Sequence, residues 1–171
     1  MTPIRHFWRV EKEIFAATPK SGDGARIYGG RWNSPGLPAI YCAESLALSV
    51  LEILVHTASA DERADPRIWF RLALTGRDPS QWIWTVSERS LPRGWNDPLP
   101  HSQTSQIGDQ WLQKNKHPVM RVPSAVIPGA FNYILNPFQP HFRKAILWSH
   151  PTKLTLDQRL IDGGPDPAPS A

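Results

Sequence analysis

Sulfur is nearly absent from this chain. One cysteine, Cys42, and two methionines stand among 171 residues. A disulfide framework and a cysteine-based zinc site are therefore excluded, and a reducing compartment suits the protein. Long hydrophobic runs are missing as well. No window approaches a membrane span, and the N-terminal MTPIRHFWRVEKEIF lacks the continuous apolar core of a signal peptide. The expectation is a cytoplasmic protein with no membrane segment. Runs of like charge are equally scarce. Lys and Arg number 19 against 15 Asp and Glu, a formal net charge of +4. That balance suits an anionic small molecule, while the missing basic run argues against direct binding of nucleic acid.

Several chemistry-bearing patterns are also lacking. There is no GxGxxG after a strand and no GxxxxGK[ST], so neither common nucleotide-binding fingerprint is present. No GxSxG elbow supports a hydrolase triad. The six histidines, His6, His56, His101, His117, His141 and His150, show no metal-ligand spacing, and no metal is expected. No internal repeat occurs.

What the chain does have is proline, tryptophan and short apolar segments. Eighteen prolines predict short elements and structured loops, and eight tryptophans fill a core, line a cleft or face a partner. Strand-type runs fall at Phe7–Val10, Ala39–Ala43, Ile68–Leu74, Val119–Val122, Ser124–Ile127, Phe131–Leu135 and Lys144–Ser149. Gln81–Val86 reads as a strand or a short extended piece, and Leu154–Leu160 as an edge piece. Glu11–Ala17 reads as a helical turn, Ala60–Pro66 as a charged turn, and Leu91–His101 as a proline-rich connection. Ser102–Asn115 has helical spacing, weakened by Gly108. Strands outnumber helices without βαβ alternation, which predicts an α+β domain over residues 1–162. Gly163–Ala171 (GGPDPAPSA) has the composition of a disordered tail.

The chain is organised around Gly24–His56. The loop GARIYGGRWNSPG holds four of the eleven glycines and two arginines, Arg26 and Arg31. After the strand comes an amphipathic helix, with Glu44 or Ser45 placed to cap it. Ala47, Val50, Leu51, Leu54, Val55 and Ala58 share one face, and Ser45, Ser49, Glu52 and His56 form a polar stripe on the other. Arginines that bind an anion beside a fixed carboxylate, Glu52, are the simplest chemistry this stretch can serve. A solvated polar stripe is the plainer alternative.

GGRWNSPGLPAIYCAESLALSVLEILVH resembles the signature of the RES domain, named for its Arg, Glu and Ser. FWRV, the block VPSAVIPGAFNYILNPFQPHF and LTLDQRL resemble the family's other blocks, in the family's order. The resemblance implies a fold similar to mono-ADP-ribosyltransferases, with short twisted β-sheets and flanking helices. It implies a toxin of a bacterial toxin–antitoxin pair, inhibited by an Xre-type antitoxin that covers its active site in a hetero-oligomer. It also implies cleavage of the nicotinamide–ribose bond of NAD, with inorganic phosphate as acceptor. A protein mono-ADP-ribosyltransferase and a non-catalytic nucleotide- or antitoxin-binding module are the alternatives. NAD is then a substrate, and no cofactor is called for.

Carried onto this sequence, the resemblance makes Arg31 and Glu52 the catalytic pair. Arg31 would hold phosphate oxygens as a bidentate fork, and Glu52 would stabilise an oxocarbenium-like ribose. Tyr41 would offer a face to nicotinamide, Ser124 a hydroxyl to ribose or phosphate, and Arg26 a second cationic site. Tyr28 and Asn132 complete the expected binding set, and Asn136 matches a family position without a settled role. Plainer roles stand beside these. Arg31 pairs with Glu52 in a structural salt bridge, Tyr41 fills core, Ser124 bonds backbone, His56 is solvated or caps, and Asn132 and Asn136 form turns. Trp32, beside Arg31, is the first tryptophan to place.

Overall fold

The structure, a computed structural model, describes residues 6–99 and 102–162. The expected tail at 163–171 lies outside the described residues, as do Pro100 and His101 at the end of the proline-rich connection. The strands are β1 (His6–Lys12), β2 (Ile40–Ala43), β3 (Arg67–Leu74), β4 (Ile83–Thr85), β5 (Val119–Pro123), β6 (Phe131–Leu135), β7 (Ile146–Trp148) and β8 (Thr152–Leu154). The helices are α1 (Asp23–Tyr28), α2 (Leu46–His56), α3 (Ala60–Ala64), α4 (Ser102–Lys114), α5 (Phe142–Ala145) and α6 (Gln158–Asp162).

The strands join one sheet in the order β4-β5-β6-β2-β1-β3-β7, with β8 also on β3. Among the described strands, β4–β5 is the one parallel pair. The α+β class is as expected, whereas the several short sheets anticipated are a single eight-stranded one. The joint between β2 and β1 is narrow. These two strands share one register pair, Trp8↔Ala43, while β1 and β3 share seven, from His6↔Ala73 to Lys12↔Arg67.

Strand alternation sorts the core onto the two sheet faces. Phe7, Ile40, Cys42, Phe70, Leu72, Tyr133 and Leu135 pack on one face, with α5 against them through Phe142 and Ala145. On β3, Ile68, Phe70, Leu72 and Leu74 are buried. On the other face Met120, Val122 and Ile134 pack with Trp32, Trp111 and Leu112. The functional side chains rise from this second face, because Lys12, Arg67, Tyr41 and Asn132 have the matching parity.

Several local expectations are corrected by side-chain chemistry. Ser124–Ile127 is a turn rather than a strand, because the Ser124 hydroxyl accepts hydrogen bonds from the Val126 and Ile127 amides, both at 3.1 Å. Part of the glycine-rich loop is the helix α1, bounded by Gly22 and Gly29, both with positive φ, and closed by an Arg26–Asp23 pair. The charged turn at 60–66 contains α3, capped by Ser59. Lys144–Ser149 divides between α5 and β7, and Leu154–Leu160 between β8 and α6. The turn expected at Glu11–Ala17 is shorter, Glu13–Phe15, because β1 runs on to Lys12.

The helix α2 lies over the second face with its polar side inward. Ser45 caps it, accepting from the Leu48 amide at 3.1 Å. Ser49 is buried and donates to the Trp8 carbonyl of β1 at 3.0 Å. Leu48 is 4% exposed, whereas Val55, on the apolar side, is 57% exposed.

Candidate active site

Three elements build the site. β2 supplies Tyr41, α2 supplies Glu52, and the loop between α1 and β2 supplies Arg31. With β1 they enclose a cavity of about 720 Å³. That is the size of a pocket that takes a nucleotide-sized ligand.

Glu52 stands where β5 ends and β6 begins. Its Oε1 accepts a hydrogen bond from the Ser124 hydroxyl at 2.8 Å and from Asn132 Nδ2 at 2.5 Å. The Oε2 atom has no hydrogen-bond partner among the described residues, so the carboxylate is oriented on one side and open on the other. The Oδ1 atom of Asn132 is buried without a protein partner and belongs to a residue lining the same cavity. It can accept from a ligand hydroxyl or amide. Ser124 is not a free ligand hydroxyl, because its proton goes to Glu52 and its lone pairs to the turn. It acts through the carboxylate.

Arg31 does not pair with Glu52. Its Nη1 donates to the Trp95 carbonyl at 2.6 Å and its Nη2 to the Asp97 carbonyl at 3.0 Å. Two neutral acceptors fix the fork without cancelling its charge. Desolvation pushes the guanidinium below its ordinary value, and the charge of Glu52 opposes that shift, which places the two groups within electrostatic reach.

Tyr41 joins the strand to the loop. Its hydroxyl donates to Asn33 Oδ1 at 2.7 Å and accepts from the Trp32 amide at 3.0 Å. Burial raises its pKa well above the ordinary tyrosine value, so it stays neutral. Asn33 is the hub of this loop. Its Nδ2 donates to the carbonyls of Ala25, Ser34 and Leu37. A Cβ on Gly30 would sit 2.5 Å from the Tyr41 hydroxyl, which is why glycine stands there. On the outer side, Asp109 of α4 accepts from both the amide and the hydroxyl of Ser34, at 2.8 and 2.6 Å.

The remaining expected residues separate clearly. Tyr28 lines the mouth, 83% exposed. His56 lines the cavity one turn beyond Glu52 and is exposed. Trp32 is buried, reaches the cavity wall and packs on Trp95 at 6.3 Å between ring centroids. Arg26 does not belong to the site. Its guanidinium bonds Asp23 at 2.9 Å, and it is not among the cavity-lining residues. Asn136 is structural, since its Nδ2 ties Leu112 and Asn115 at the end of α4 to its own turn. Sequence reasoning missed Asn33, Asp109, Arg9, whose Nη1 donates to the Tyr41 carbonyl at 3.1 Å, and Arg67, which lines the cavity. Only Asn33, within RWNS, carried a local signal, while the others reach the site through pairing across the sheet or between elements.

The site is thus a cavity in an α+β domain, with an arginine, a braced carboxylate and three aromatic residues, Tyr28, Trp32 and Tyr41, on its wall. The RES domain family matches residues 6–157, so the chain belongs to the RES domain family. The toxin Res of Photorhabdus laumondii is 36% identical over 155 residues, 90% of this chain and 96% of that protein. The Prs ADP-ribosylating toxin of Sphingobium sp. is 32% identical over 161 residues, 91% of this chain and 96% of that protein. In the crystal structure of the M. tuberculosis MbcT–MbcA toxin–antitoxin complex, one chain shares this fold. The TM-score is 0.68 at 20% identity, covering 91% of this chain and 86% of that one.

Proposed function

We propose that the chain is the toxin of a toxin–antitoxin pair and that it cleaves the nicotinamide–ribose bond of NAD, with inorganic phosphate as acceptor. The observation that carries this reading is the clamped carboxylate: Glu52 Oε1 held by Ser124 and Asn132 with its other oxygen open to the cavity. A fixed anion beside the ribose stabilises the positive charge that develops at C1″. The C1″–N bond breaks with its electron pair going to the ring nitrogen, so nicotinamide leaves neutral. A phosphate oxygen then bonds to C1″. Arg31 holds a phosphate group of the substrate, Asn132 Oδ1 accepts from a ribose hydroxyl, and Tyr28 closes over an aromatic ring at the mouth. The partner is an Xre-type antitoxin that covers the mouth of the cavity. Contact with DNA runs through that partner, and the complex works in the cytoplasm.

Incubating the purified chain with NAD, with and without phosphate, and weighing the products tests the reaction. Nicotinamide with ADP-ribose 1″-phosphate is the expected outcome, and intact NAD in both tubes sinks it. A second reading, transfer of ADP-ribose to a protein side chain, is favoured by the likeness to the Prs ADP-ribosylating toxin. It uses the same NAD site and would leave label on protein instead.

A further inference from the structure

The cavity continues past Glu52. It runs along the second sheet face to Lys12 and Arg67, directly opposed in the β1–β3 ladder, and is walled by His56, Thr57 and Glu62. The cations Arg9 and Lys12 in this limb each meet a carboxylate, and Arg67 does not. Arg9 meets Glu11, and Lys12 meets Asp65 at 2.8 Å. The Glu62 carboxylate turns back to accept from the Ala58 amide at 3.1 Å.

Arg67 is the exception. It is 7% exposed, and no carboxylate lies in ion-pair range of it among the described residues. Its Nη2 donates to the Glu62 carbonyl at 3.0 Å, and its buried Nε finds no acceptor. A guanidinium carries five N–H donors, and a buried charge left without anionic or hydrogen-bonding compensation is strongly unfavourable. Asp65, paired with Lys12, lies within electrostatic reach of Arg67 without forming an ion pair with it, and the buried Nε leaves a donor for one more acceptor from outside the chain. A planar guanidinium fork, in a cavity that Lys12 and His56 also line, matches a tetrahedral oxyanion.

We infer that this limb is an anion subsite in which Arg67 binds a phosphate-class oxyanion. Its place in the reaction rests on the NAD reading above. The oxyanion is either a phosphate group of the nucleotide or the free phosphate acceptor, a task that Arg26 cannot serve from outside the cavity. Binding itself requires no turnover.

Protein labelled with ¹⁵N-arginine is titrated with inorganic phosphate and, separately, with ADP. The Nε–H resonance of Arg67 is assigned by its loss in Arg67→Lys. That resonance is expected to move and saturate, and calorimetry on Arg67→Met is expected to show at least a tenfold weaker affinity for the same ligand. Movement with phosphate identifies the free acceptor, and movement with ADP alone identifies a nucleotide phosphate. A resonance that neither ligand moves in the wild-type protein overturns the subsite, as does undiminished affinity in a cooperatively melting Arg67→Met. If NAD stays intact while the Arg67 resonance still responds, the reaction falls and the subsite stands.

Discussion

At the scale of single residues, the site depends on a carboxylate with one oxygen braced and one open. Glu52→Gln keeps the shape and removes the charge. NAD cleavage is expected to fall on the order of 10²-fold or more, in kcat rather than KM, with an unchanged melting temperature. An active, folded Glu52→Gln would remove Glu52 from the chemistry. Asn132→Ala and Ser124→Ala each free one side of Oε1, and steady-state kinetics should show smaller losses that fail to add, since both act on the same oxygen. That Glu52 and Arg31 share one cavity was legible in the sequence, because family blocks and helical spacing single them out. Arg67 was not, since an arginine at the start of a strand-like run carries no sign of its burial or of its missing partner.

At the scale of elements, α2 is the instructive case. Its periodicity was legible, but its orientation was not, because 3.6-residue spacing reports that two faces differ and not which one the sheet receives. Here the sheet receives Leu48, Ser49 and Glu52. Leu48→Ala is therefore expected to cost about 2–5 kcal/mol in denaturant unfolding, while Val55→Ala on the outer face stays within about 0.5 kcal/mol. Equal losses would contradict this orientation. α4 teaches the opposite lesson. Gly108 weakened the helical reading, yet it is required, because a Cβ there would lie 1.7 Å from the Trp32 carbonyl. Gly108→Ala forces α4 away from the 30–34 loop. Chemical denaturation should show a loss of about 1–3 kcal/mol, and the KM for NAD should rise as Asp109 loses Ser34.

For the whole molecule, burial sets the response to alkali. It raises the Cys42 thiol from 9.0 to about 12 and raises the Tyr41 and Tyr133 hydroxyls as well. The unfolded chain then loses these protons first. Stability is full below about pH 9 and declines as pH climbs toward 12. Thermal melts from about pH 8 to about pH 11 should fall accordingly, and Cys42→Ala should make the early part of the decline shallower. A flat profile would mean that these groups are not buried as described. The single Trp8↔Ala43 pair between β1 and β2 has a different consequence. The backbone ladder is thin there, the seam being joined further by Arg9 Nη1 on the Tyr41 carbonyl at 3.1 Å and by the Phe7–Tyr133 stack, and the ligand cavity lies along this seam. Amide hydrogen exchange is expected to be slow inside each half and faster at the seam, and an occupied cavity should slow the seam most. The breadth of the opening then rests on a seam stitched more by side chains than by backbone.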